Sequence, residues 1–442
     1  MSRFLEGDIK GHLLRLTFPS IGGMFAIMAF NLTDTYFVSR LGTSALAAMG
    51  FTFPVVMAVG ALSIGFSVGA SSIVTRALGA GDRALARRTV ADCLFITVLG
   101  TLLIGFIGFV FTRKLFIVLG AEGEELELVC QYMRIWFLGS LLAVLPAVID
   151  GCLRATGDMF RPFIVMSTVA AFNIALDPVL IFGFEPLGIP AMGIRGAVWA
   201  TLAARLIGTS LTFSFLHFHA RMIDWSRPHI RELLKSWNRI LQLGVPASIN
   251  QAINPLLFGV LTRLASSVGG VKAVAAMASS TRIEGVMFLV SIAYSIALGP
   301  FTGHNYGARL LGRVKETRQL SNRFAFYYCI ASCIFLFFTA RTLAGIFSDD
   351  TEVIRLTKAY LLICVFGHAG VHAVMWNCQM LNTIGKTRKV LMINFFKVTL
   401  LLIPLSWLGG RIYGFVGLAA GLSVGNMLAG ILAAKIARAD LS

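Results

Sequence analysis

The stretch LLRLTFPSIGGMFAIMAFNLTDTYFVS (13–39) carries one charge after Arg15, the carboxylate of Asp34. Its apolar run, Leu13 to Phe37, exceeds the roughly 20 residues a helix needs to cross a hydrocarbon core about 30 Å thick. It therefore reads as a transmembrane helix. It is too long, and lacks the small-residue cleavage site, to be a removed signal peptide. A charged side chain near the middle of such a helix costs about 2.5–3.5 kcal/mol on insertion scales. An acid kept at that cost implies a role.

The rest of the chain agrees with this reading. Of its 442 residues 57% are hydrophobic and 13% charged, with a mean hydropathy of +0.80. Soluble domains carry about 25% charged residues, so the chain lacks the polar surface to cover a globule. Twelve apolar spans are expected, near 13–38, 45–75, 90–112, 128–152, 160–184, 191–217, 240–266, 273–301, 320–346, 353–382, 389–409 and 412–437. The net charge of +17 raises nucleic acid as a partner, but its distribution excludes that reading. With a cytoplasmic N-terminus, 24 of the 38 Lys and Arg fall on the cytoplasmic side and 10 on the other. That is the positive-inside pattern, and it places both termini in the cytoplasm. The seven Cys are scattered without a CxxC pair, so no disulfide framework is implied.

The sequence also repeats. Pro19 and Pro246 lie 227 apart, Gly79 and Gly307 lie 228 apart, Gly157 and Gly385 lie 228 apart, and GIRGAV (193–198) parallels GFVGLA (414–419). Six spans per half enter the membrane in the same direction. The expected fold is thus all-α and polytopic, with twelve transmembrane helices in two six-helix lobes related by a pseudo-two-fold. The lobes are expected at 1–218 and 240–442, with a cytoplasmic linker at 219–239 whose RELLKSW portion is amphipathic.

Charge separates the halves. Asp34 and Asp177 lie deep in spans 1 and 5, whereas the matching C-terminal positions are Thr262 and the acid-free run Val398 to Leu405. Asp34 lies 21 residues past Leu13, about 32 Å of helix, and Asp177 lies 16 past Arg161, about 24 Å. Both reach the outer half of the membrane. Asn173 is four residues before Asp177 and so shares its face, and Thr201 sits at similar depth in span 6. Two carboxylates with an amide and a hydroxyl can hold a proton, because desolvation and a like charge favour the neutral acid. They can equally cradle Na⁺ with oxygen ligands. Pro178 withdraws a backbone donor beside them, and Pro19 loosens span 1 as a candidate hinge. These residues are assigned to ion coupling, with no catalytic residue, metal site or cofactor.

On these features the chain resembles the multidrug and toxic compound extrusion (MATE) family over essentially its full length. The N-lobe acids resemble its DinF-like branch. At the positions where the Na⁺-coupled NorM-like branch has C-lobe acids, this sequence has Asn254 and His372 or Ala373. The resemblance implies export of lipophilic organic cations against inward H⁺ or Na⁺ by alternating access. In it, Asp34 is protonated as substrate leaves and span 1 bends. Tyr36, Met28, Met166 and Met287 are candidates for an adaptable cavity lining. The expected location is the inner (plasma) membrane, and the expected state a monomer.

Other signals are weaker. His368 and His372 have the spacing of two metal ligands but no third nearby, and read as a packed pair. Arg282 and Glu284, two apart, do not share a helix face, and each reads as a partner for another helix. Gly385-Lys386-Thr387 lacks the earlier Gly of a phosphate loop. A lipid-linked oligosaccharide flippase would gather basic residues around a pyrophosphate, whereas this pocket is acidic. An intramembrane aspartyl protease using Asp34 and Asp177 would show YD and GxGD, not LTDTY and ALDPV. The chain is expected not to be an enzyme.

Overall fold

A computed structural model describes residues 4–226 and 229–441. Its helices are α1 (Ile9–Ser39), α2 (Thr43–Gly79), α3 (Arg83–Val118), α4 (Gly123–Leu138), α5 (Ser140–Ala155), α6 (Phe160–Phe182) and α7 (Ile194–Ser214). They continue as α8 (Ile230–Gly307), α9 (Leu311–Phe347), α10 (Thr351–Cys364), α11 (His368–Thr383), α12 (Thr387–Phe396) and α13 (Ile403–Asp440). A π-helical turn, Lys397–Leu402, joins α12 to α13.

Among the described residues nine helical runs are long and apolar enough to cross a bilayer, and α4 with α5 forms a tenth, bent by 51°. Two of the ten are double. The 78 residues of α8 break at Gly270 (φ 60°, ψ −152°), and the 54-residue run Thr387–Asp440 breaks at Tyr413 and Gly414 (φ 60°, ψ −142°). At about 1.5 Å per residue either run is far longer than one bilayer crossing. Both glycines adopt a conformation that only glycine occupies readily. Each run crosses twice, which gives twelve spans.

Span 4 departs from a straight helix. It bends at Gly139–Ser140, a Gly/Ser pair of the kind that kinks helices. A Cβ at Gly139 would strike the Leu202 side chain on α7. The missing side chain there leaves room for Leu202.

The chain divides into two compact units, Arg15–Ser248 and Met1–Leu14 with Ile249–Ser442. The first two turns of α1 thus belong to the C-terminal unit and the first turns of α8 to the N-terminal one. In the C-terminal unit the Arg313 guanidinium donates to the backbone oxygens of Gly7 (3.0 Å) and Phe4 (3.2 Å), and Phe4 sits against Phe301 and His304. In each unit large apolar side chains cover the outside as well as filling the core. Small residues such as Ala86, Gly105, Gly108 and Thr112 of α3 are buried, while Phe106, Phe337 and Phe338 are exposed. Small interior residues let helices approach closely where hydrocarbon surrounds them.

Candidate functional site

The candidate site lies in the Arg15–Ser248 unit, where α6 and α7 run side by side. Their contact is close because Gly196 of α7 faces the Leu180 carbonyl of α6, leaving no room for a Cβ. This brings Thr201 of α7 to the level of Asn173 and Asp177 on α6. The Asn173 amide donates to Asp177 Oδ1 at 3.1 Å and to Thr201 Oγ1 at 3.5 Å. Asn173 and Asp177 are fully buried, and Thr201 is 5% exposed. Pro178 lies within α6, so the turn preceding it has one carbonyl without its helical donor.

Asp34 of α1 is half-buried, and its charge interacts with those of Asp177 and Arg205. The structure therefore gathers all four sequence-predicted coupling residues, and it adds two. Arg205 lies one turn beyond Thr201 on α7, donates to the Ala143 carbonyl at 3.2 Å and sits over the Phe30 ring at 5.9 Å. The buried Tyr132 of α4 feels the charges of Asp34, Asp177 and Arg205. Arg205 is a base within span 6 to which the sequence alone gives no role. The available signal was its four-residue spacing from Thr201, which mirrors Asn173–Asp177.

The hydrogen-bond bookkeeping is unusual. Asp34 Oδ1, Asn173 Oδ1, Asp177 Oδ2 and Arg205 Nε are all buried without a protein partner. Buried polar groups are normally satisfied, and several orphans in one place mark a site shaped for something other than static packing. Three acceptor oxygens suit a proton or an oxygen-coordinated cation. Among the described residues, no three His, Cys, Asp or Glu side chains converge as metal ligands.

The remaining candidates are dispersed. Pro19 lies inside α1, four residues past the boundary between the two units. Tyr36 is exposed, and its hydroxyl accepts from Arg40 at 3.0 Å while its ring lies beneath that guanidinium. Met28 and Met166 are half-buried in the N-terminal unit. Met287 belongs to the other unit, where its carbonyl accepts from the Tyr328 hydroxyl at 2.6 Å.

In the C-terminal unit several buried polar residues pair with one another, although His368 Nδ1, His372 Nε2 and Asn377 Oδ1 are themselves buried without a protein partner. Glu284 meets His368 Nε2 at 3.2 Å, and Ser291 bonds His372 Nδ1 at 2.7 Å. Phe288 packs on both imidazoles, and Trp376 stacks on His372. Asn254 is exposed.

Comparison with known proteins agrees with this architecture. The MatE family model matches twice, at residues 19–179 and 246–408, which recovers the duplication at its expected offset. A FAD transporter of Shewanella oneidensis is 35% identical over 97% of this chain and 94% of its own. The probable multidrug resistance protein NorM of Thermotoga maritima is 26% identical over 79% of this chain and 75% of its own. The crystal structure of the Vibrio cholerae MATE transporter VcmN in the bent form superposes with a TM-score of 0.90. It is 26% identical and covers 98% of this chain and 97% of its own.

Proposed function

Because the chain belongs to the MatE family of MATE transporters, we propose that it is a secondary antiporter coupled through its N-terminal lobe. It would export an organic solute against inward H⁺ across the inner membrane, with both termini cytoplasmic. The observation that carries this reading is the set of orphaned acceptors on Asp34, Asn173 and Asp177. Asp34 takes up the coupling proton, Asp177 with Asn173 and Thr201 tunes its affinity, and the Arg205 guanidinium balances the charge left when the proton departs. A carboxyl that gains a proton loses its charge and its demand for polar partners, so α1 is free to change shape around Pro19. The cycle is a DinF-like one, with Na⁺ in the same cradle as the alternative ion.

Two acids against the one base Arg205 favour a lipophilic organic cation as substrate. A flavin dinucleotide is the second reading. It is favoured by the 35%-identical relative that bears the name FAD transporter and by the guanidinium of Arg205 beside the acids.

The test is efflux from reconstituted vesicles, with a pH gradient or a Na⁺ gradient imposed separately, using a fluorescent lipophilic cation or FAD as cargo. Asp34→Asn runs alongside. Efflux driven by pH and lost in the variant is the expected result. Efflux that ignores both gradients, or that survives the substitution, would sink the N-lobe coupling. The cargo that moves decides between the two substrates.

A further inference from the structure

A cleft of about 190 Å³ opens between α3 and the first turns of α8, both in the Arg15–Ser248 unit. One ordered water needs only about 10–15 Å³ of such space, so the cleft has room for a larger group. Its charges are unevenly engaged. Arg88 pairs with Asp92 at 3.0 Å and donates to the Ser226 carbonyl at 2.8 Å. Arg83 and Arg87, on the same helix, donate to the carbonyls of Ala220 and Ile223 and so pin the preceding segment.

Lys235 and Arg239 are different. They lie one helical turn apart on α8, border the cleft and are exposed. Neither has an ion-pair or hydrogen-bond partner among the described residues. Glu232 at the mouth is the one lining acid that Arg88 does not engage. Ile73 and Leu85 line the cleft, and exposed apolar side chains lie close by in the chain: Phe95 at 54%, three residues past Asp92, and Leu234 at 53%, next to Lys235. The Trp237 indole donates to the Asp92 carbonyl at 3.0 Å and lies beside Phe95. Tryptophan in such a setting marks the boundary between bilayer and water.

We propose that this cleft binds the phosphodiester headgroup of an anionic phospholipid, with Lys235 and Arg239 holding the phosphate. The acyl chains then run along Phe95 and Leu234. A free phosphate ion presents the same oxygens, but it makes no use of these apolar side chains. Basic pockets between membrane helices commonly hold such headgroups, and each cation near an anionic lipid surface contributes roughly a fivefold gain. Two give about thirtyfold. The site also joins α8 to α3, so a bound lipid fastens the start of α8 to its own lobe.

The full-length protein in neutral detergent is titrated with phosphatidylglycerol, phosphatidylcholine or inorganic phosphate. Bound lipid is counted by native mass spectrometry, and the unfolding midpoint is followed in parallel. The expected result is phosphatidylglycerol binding that weakens about thirtyfold in Lys235→Ala/Arg239→Ala. Binding should be unchanged in the control Lys114→Ala, at the far end of α3. Phosphatidylcholine should bind without preference, and millimolar phosphate should not compete. Should the double variant fold poorly, Lys235→Gln alone must still weaken binding about fivefold. Equal binding by the variants overturns the proposal, and so does full competition by inorganic phosphate, which would make the cleft a simple anion site.

Discussion

Asp34 and Thr262 hold matching places in two lobes built on one plan, 228 residues apart, and their surroundings differ throughout. Asp34 interacts with Asp177 and Arg205, whereas Thr262 spends its hydroxyl on the Phe258 carbonyl of its own helix. Where the N-lobe has Asn173, Asp177 and Thr201, the C-lobe has the run Val398 to Leu405 and Leu422, and an apolar cluster that includes Leu402, Leu418 and Leu422. The backbone plan is nonetheless shared. Gly42 and Gly270, Gly81 and Arg309, and Gly157 and Gly385 all take positive φ, each pair 228 apart. Duplication preserved the turns and left the interior chemistry free to diverge. At these matched positions one lobe carries polar side chains and the other hydrocarbon.

Moving the acid is the strongest way to break this comparison. Asp34→Asn should lower gradient-driven efflux about a hundredfold, the usual cost of losing a positioned proton carrier. The double variant Asp34→Asn/Thr262→Asp should not recover it, because the matching C-lobe run Val398 to Leu405 supplies no amide or carboxylate. Vesicle efflux reads both, and recovery in the double variant would mean that the lobes are interchangeable. Next in size is Leu402→Asp, which puts an unpartnered carboxylate into the C-lobe cluster and should cost about 3 kcal/mol. Asp177→Leu in the N-lobe should leave stability within about 1 kcal/mol, since it removes an orphaned oxygen and one hydrogen bond together, while abolishing ion coupling. Unfolding midpoints in detergent decide the pair, and the asymmetry is the point of the test.

Much of this was legible in the sequence, and the gaps have physical causes. Span count, duplication and the Asn173–Asp177–Thr201 group follow from hydropathy, spacing and depth, all of which are local. Arg205 escaped because a lone in-span base acquires meaning only when packing sets α7 against α6. The Glu284–His368 pair joins residues 84 apart, a separation that leaves no pattern along the chain. The need for a residue without a Cβ at Gly139 comes from the Leu202 side chain, which lies on another helix. The gap between the expected spans 240–266 and 273–301 holds the break at Gly270, where the backbone leaves helical geometry (φ 60°, ψ −152°).

Helix starts offer a finer contrast, because the lobes cap different ends. In the N-lobe Asp82 caps α3 by accepting from the Leu85 N–H, whereas its counterpart Leu310 cannot. In the C-lobe Asp350 caps α10, whereas Glu122 leaves α4 without a side-chain cap. Asp82→Ala should therefore cost about 1 kcal/mol, and Leu310→Ala far less. Asp350→Ala should destabilise in the same sense, and in a pH-dependent way. The bond from Lys272 and the N–H groups of Glu352 and Val353 hold the Asp350 carboxyl below the usual range. Its contribution is therefore present above the unfolded value of about 3.9 and fades as pH falls through the lower folded value. A wild-type-minus-variant difference that grows on acidification would refute the assignment.

The smallest effect sharpens the comparison most, because it isolates backbone from side chain. Gly81 and Arg309 share one turn in the two lobes, with φ of 80° and 61°. Glycine adopts that conformation without penalty, whereas a residue with a Cβ pays about 1–2 kcal/mol for it. A Cβ at Gly81 would meet nothing within 4 Å, so Gly81→Ala should destabilise by about 1 kcal/mol through conformation alone. Arg309→Gly should go the other way by less than that, because the gain at φ 61° is partly offset by the extra freedom glycine gives the unfolded chain. The paired unfolding midpoints should move in opposite directions. If both fall, Arg309 makes contacts that outweigh its strain, and the C-lobe turn has been rebuilt around that side chain.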